Sequence, residues 1–196
     1  MRVLVIFCHP IETSFSGALR DAVIDALRAA GHSVIDLDLY AEKFNPVMSR
    51  QERAEYEDEA SYLQAVRKYA DQLAEAEALV AVYPTWWYGL PAMLKGYFDR
   101  VWAPGIAFDI EGDGSVDTNR LGHIKRIGVV TTYGASWWLI RFYMGDPEHK
   151  FWSRGVRPLC ARGCRLDWLA TYEMDKAPQA RLDRFIARVK RSFGAW

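Results

Sequence analysis

The chain has 196 residues, about half of them apolar, which suits one globular domain with a sizeable core. Its 25 lysines and arginines balance 25 aspartates and glutamates, so no net field favours nucleic acid or an anionic membrane. No apolar run approaches the roughly 18 residues a membrane span needs, and three cysteines are too few for a disulfide framework.

Arg2 to Cys8 is a continuous apolar run, the pattern of a strand buried on both faces of a parallel sheet. It is too short for a secretory leader and has no cleavage site, so a cytoplasmic protein is expected, with Cys8, Cys160 and Cys164 as reduced thiols. The loop His9 to Ser14 follows. A helix then carries Phe15, Ala18, Leu19, Ala22, Val23, Ala26 and Leu27 on one face and stops at Gly31. Val34 to Leu39 is the next strand, 40–49 is irregular, and the charged run Arg50 to Glu59 reads as solvated. Tyr62 to Glu77 predicts a helix that delivers the chain to a buried strand, Leu79 to Tyr83.

That strand meets Pro84 and Thr85, then Trp86, Trp87, Tyr88 and Gly89, before a helix from Leu90 to Val101. Pro91 is tolerable only in its first turn. Two Trp and a Tyr at a tight strand-to-helix corner suit a planar aromatic ligand; the alternative is that they cap a core or fill a subunit contact. Leu94, Phe98 and Val101 read as facing core or a partner. The segment 103–123, with Gly112-Asp113-Gly114 between alternating apolar residues, reads as a surface hairpin or a lid loop over the active site. Arg126 to Thr132 is a fourth strand. An aromatic stretch (Trp137, Trp138, Phe142, Tyr143) leads to Gly145-Asp146-Pro147. A helix from about Glu148 to Ala161, a last strand from Arg165 to Tyr172 and a closing helix with Leu182, Phe185, Ile186 and Val189 complete the chain.

Five strands alternating with helices predict one α/β domain over 1–196, a doubly wound five-stranded parallel sheet with helices on both faces. In the flavodoxin-like strand order, ligands bind beyond the carboxyl ends of the first and third strands. Three loops then converge: His9 to Ser16, Pro84 to Gly89, and Thr131 to Gly134. The first has no dinucleotide or Walker motif. It offers Thr13, Ser14 and Ser16 hydroxyls at the positive end of a helix, where a phosphate could bind, although Thr13 or Ser14 could equally be a simple cap. The second supplies aromatic walls, and the third supplies backbone N–H groups and threonine hydroxyls. Phosphate at one end, a flat ring at the other and polar edge contacts between describe a flavin nucleotide.

Other chemistry is sparse. There is no nucleophile elbow and no paired-histidine motif. Cys160 and Cys164 lack the further ligands of a zinc site, and no metal is expected. Tyr133, Tyr143 and His149 are the only candidates for a catalytic side chain.

With these loops identified, the sequence resembles the NAD(P)H:quinone oxidoreductase (DT-diaphorase-like) branch of the flavodoxin-like flavoproteins. The likeness rests on Val3 to Pro10 with Thr13-Ser14-Phe15-Ser16 and Ala18-Leu19, and on Asp38-Leu39-Tyr40 with Phe44-Asn45-Pro46. It continues through Tyr83 to Val101, Thr131-Thr132 with Gly134, and Gly145-Asp146. The resemblance implies a flavoenzyme that carries a hydride from NAD(P)H to a quinone, ping-pong, through flavin N5. It also implies a homodimer with active sites at the interface and no membrane insertion. Carried over, His9, Phe15 and Ser16 hold the flavin phosphate; Thr85, Trp86, Trp87 and Tyr88 line the ring; Thr131, Thr132, Tyr133 and Gly134 run along its edge. The cofactor is FAD, with FMN the alternative, since the chain is similar to compact bacterial members. Ser16 stands where relatives often have Asn, and Tyr133 where the mammalian type has Gly. The Tyr-His pair of that type is not matched: Trp138 or Leu139 and Met144 fall at its positions. The other reading is a flavin-binding ancillary subunit of a potassium efflux transporter. A flavodoxin-type electron carrier would be strongly acidic for docking, and this chain is neutral.

Overall fold

The computed structural model describes residues 1–111, 113–117 and 120–196. Five strands, β1 (Arg2–Phe7), β2 (Ser33–Asp38), β3 (Ala78–Pro84), β4 (Arg126–Thr132) and β5 (Arg165–Thr171), form one sheet in the order β2-β1-β3-β4-β5. Every pairing in it is parallel. The central strand β3 is buried at all its positions, as its uninterrupted apolar sequence requires. Along β1 the side chains alternate between two cores. Val3, Val5 and Phe7 pack with α1 (Phe15–Ala29) and α6 (Gln179–Phe193). On the other face Leu4, Ile6 and Cys8 pack with α3 (Glu59–Glu75) and α4 (Ala92–Val101). Leu94, Phe98 and Val101 belong to this second core.

Two stretches differ from the sequence expectation. The run 50–59 is not simply solvated: it contains α2 (Arg50–Ala54), whose Ser49 and Glu52 close a capping box. Glu52 is buried, and Arg100 Nε of α4 donates to its Oε1 at 2.8 Å. The expected continuous helix from Glu148 is three pieces. The short α5 (Pro147–Lys150) passes into a wide π-helical turn, Phe151–Val156, and a 3₁₀ turn, Arg157–Leu159. Pro158 has no N–H for a further helical bond, which ends the run. Within the wide turn Trp152 is buried and its Nε1 donates to the Tyr83 hydroxyl at 2.8 Å.

In the 103–123 segment, Asp109–Ile110 and Val116–Asp117 pair antiparallel, while Gly112 of the anticipated Gly-Asp-Gly turn lies outside the described residues. Arg120 bridges Asp109 at 2.7 Å and Glu59 at 3.4 Å, and His123 Nε2 meets the Leu73 carbonyl at 3.2 Å. These contacts lay the hairpin along α3.

Candidate active site

Because β1, β3 and β4 are neighbours, the loops after them meet at one sheet edge. The first loop is folded tightly onto α1. A Cβ at Gly17 would lie 1.9 Å from the Glu12 carbonyl oxygen, so only glycine permits the approach. Ser14 Oγ accepts from Gly17 N at 3.2 Å and therefore caps the helix. Thr13 is exposed, Ser16 is buried, and Phe15 packs against Phe185 of α6 with ring centroids 6.4 Å apart. The first-turn N–H groups of Phe15 and Ser16 have no partner inside the helix, which leaves its positive end open to an anion.

The aromatic corner is a two-residue turn. Trp86 and Gly89 exchange backbone hydrogen bonds of 3.1 Å, and between them Trp87 and Tyr88 both have left-handed backbones, with φ of 51° and 61°. This is the type I′ pattern, normally built from Asn and Gly, and a bulky residue held there stores roughly 1–2 kcal/mol of strain. The turn presents Trp87 to solvent at 95% exposure, so Trp87 is no core filler. Trp86 stands beside it, 6.2 Å from the His9 ring, which joins the first two loops.

The third loop is hydrogen-bonded to the second. Thr85 N donates to the Thr132 carbonyl at 2.9 Å, and the Thr85 and Thr131 hydroxyls are 3.1 Å apart. Thr131 and Thr132 are themselves buried. Tyr133 is buried and stacked on Tyr172, with centroids 5.0 Å apart and planes 10° from parallel. Together Thr85, Trp87, Tyr88, Tyr133, Gly134 and Ala135 bound an open cleft of about 240 Å³. A larger hollow of about 530 Å³ lies between α3 and the hairpin, lined by Leu63, Ala74, Ile106 and Arg120 among others, but it has no aromatic wall.

Sequence reasoning missed Glu148. It is 2% exposed, and its Oε2 lies 2.5 Å from Thr85 Oγ1. Burial pushes its carboxyl above the ordinary carboxylate range, against the opposing pull of the Thr85, Tyr133 and Tyr83 hydroxyls. Burial and the Glu148 charge likewise raise the Tyr133 phenol. The one signal in the sequence is the turn that places it: Gly145 and Asp146 are both left-handed, and Pro147 opens α5 immediately before it. Of the other catalytic candidates, Tyr143 is 79% exposed and His149 stands edge-on to Trp168 at 5.3 Å; neither bounds the cleft. Among the described residues, no group of three or more His, Cys, Asp or Glu could hold a metal ion, and no helix is long and apolar enough to cross a membrane.

A family model for the flavodoxin-like fold matches residues 1–150. The chain belongs to that flavodoxin-like family. Among curated proteins, it is 38% identical over 129 residues to an uncharacterised NAD(P)H oxidoreductase of Escherichia coli K12, covering 65% of this chain and 64% of the relative. It is 30% identical over 168 residues to NAD(P)H dehydrogenase (quinone) 1 of Cavia porcellus, covering 77% and 60%. The matches thus span less than two thirds of those relatives' own lengths. Among solved flavodoxin-like structures, the NAD(P)H:quinone oxidoreductase of Methanothermobacter marburgensis superposes with a TM-score of 0.82 at 25% identity, covering 99% and 98%.

Proposed function

We propose that this chain is a flavin-dependent NAD(P)H:quinone oxidoreductase whose flavin ring lies in the cleft beside Trp87. The observation that carries the reading is the strained turn itself. It exposes an indole face next to an open cleft at the edge of the sheet where flavodoxin-like proteins bind ligands. The relatives' names support the donor and the acceptor, and they give no support to the ancillary-subunit alternative.

The residues present fit a flavin. His9, Thr13, Ser14, Phe15 and Ser16 surround the positive end of α1 and would receive the phosphate. Trp86, Trp87 and Tyr88 offer ring faces, with Pro84 and Thr85 leading into them from β3. Tyr133 and Gly134 bound the cleft with Thr85, and the buried Thr131 and Thr132 lead into them from β4. Bound there, the flavin would supply two-electron hydride chemistry, linking NAD(P)H to a quinone in alternating half-reactions. FAD is the proposed cofactor and FMN the alternative. Beyond the cleft, Trp137, Trp138, Phe142 and Tyr143 are all more than half exposed, a patch that supports a homodimer with the cleft at its interface. The proposed setting is the cytoplasm.

Steady-state oxidation of NADPH with menadione tests the reading. After reconstitution with FAD or FMN, parallel lines in a double-reciprocal plot are expected. Absence of turnover with either flavin and with either nicotinamide donor overturns it.

A further inference from the structure

Glu148 is the buried group to which the proposed reaction gives no role. Its carboxyl sits where the carboxyl ends of β3 and β4 meet. The titratable groups around it are Tyr83 from β3, Tyr133 after β4, Tyr172 after β5, and Asp146, which is itself paired with Arg141. The strongest influences on it are burial, the Thr85, Tyr133 and Tyr83 hydroxyls and the Asp146 carboxylate, with no lysine or arginine among these. Among the described residues its shortest polar contact is Thr85 Oγ1, at 2.5 Å, with the Tyr133 and Tyr83 hydroxyls also acting on it; Thr85 in turn lies 3.1 Å from Thr131 Oγ1 and bounds the cleft.

A threonine hydroxyl has a single proton, so its neighbours decide where that proton points. An ionised carboxylate can only accept, and draws the Thr85 proton toward Glu148. A protonated carboxyl can donate to Thr85 Oγ1, which frees the Thr85 proton for an acceptor elsewhere. We propose that Glu148 is a positioning residue that sets the hydrogen-bond direction of Thr85, so that Thr85 donates into the cleft only while Glu148 holds a proton. The identity of the acceptor rests on the flavin reading: the polar edge of a flavin ring carries carbonyl oxygens and nitrogens that accept. Burial of Glu148, reinforced by the nearby Asp146 charge, favours the proton-holding state.

Two measurements on the full chain test this. The first needs no cofactor: carbon-13 NMR of the Glu148 carboxyl against pH, in the natural protein and in Thr85→Val. The midpoint is expected above 4.5, the usual value for glutamate. It should rise further in Thr85→Val, because the lost hydroxyl stabilised the ionised form. A midpoint that Thr85→Val leaves unchanged overturns the proposal. The second follows quenching of tryptophan fluorescence by FAD and by FMN across pH, in the natural apoprotein and in Glu148→Gln. Affinity in the natural protein should fall about tenfold as Glu148 ionises, the equivalent of one hydrogen bond to a ligand, while Glu148→Gln stays flat. An unchanged pH slope in Glu148→Gln also overturns the proposal. If neither flavin binds at any pH but Thr85→Val still shifts the Glu148 midpoint, the flavin assignment fails and the Glu148–Thr85 coupling stands.

Discussion

Glu52 and Glu148 are both nearly closed to solvent, 8% and 2% exposed, but they are held in unlike ways. Glu52 faces the Arg100 guanidinium and the Ser49 backbone N–H, which outweigh burial and hold its carboxyl below the ordinary range. Glu148 faces the Thr85, Tyr133 and Tyr83 hydroxyls and the Asp146 carboxylate, and burial wins. The first arrangement is a clamp: it ties α2 to α4, and neither residue bounds the cleft. The second sets beside the cleft a carboxyl whose protonated form burial favours. A buried carboxyl paired with a cation belongs to ordinary structural ion pairing; one whose protonated form burial favours, next to an open cleft, is a functional-site candidate.

The largest effect that could break this contrast is expected at the clamp. Arg100→Met leaves Glu52 buried and unpaired, and urea denaturation should show a loss of about 3–5 kcal/mol. A loss below about 1 kcal/mol would mean that Glu52 escapes to water and is no clamp. Next comes the strained turn. Trp87→Gly removes the left-handed penalty and should stabilise the fold by about 1 kcal/mol, while flavin affinity falls about tenfold or more. If stability and affinity fall together, the turn is structural rather than a ligand wall. The smallest effect is the pH dependence of unfolding, and it sharpens the contrast most finely. The Glu148 contribution is present below 4.5 and is lost as pH rises through its raised value. The Glu52 contribution is present above 4.5 and is lost as pH falls through its depressed value. Glu148→Gln should flatten only the high-pH limb, and Glu52→Gln only the low-pH limb.

The sheet was legible because each strand is an unbroken or nearly unbroken apolar run, and strand order then brings three loops to one edge. The aromatic corner was legible as a tight strand-to-helix turn, because Pro84 and Gly89 bracket Trp86, Trp87 and Tyr88. The exposure of Trp87 was not, since sequence rules assign a type I′ turn to Asn-Gly and here it is Trp-Tyr. Both buried glutamates were invisible for one reason: their partners are far along the chain. Arg100 lies 48 positions from Glu52, and Thr85 lies 63 from Glu148. No periodicity reports such a pairing, and a glutamate in the first turn of a helix reads as ordinary dipole complement. The same limit applies to Tyr143 and His149. They stood near the right segment in sequence, but the π-helical and helical turns that carry them aim neither side chain at the cleft.

Everything proposed for the cleft beside Trp87 depends on its holding a flavin. The most direct test is the visible spectrum of the purified protein, followed by heat release of the chromophore and its identification by mass. A yellow protein is expected, one that releases FAD, or FMN, in about one-to-one ratio with the chain and takes it up again. A colourless protein that binds neither flavin on reconstitution would contradict it.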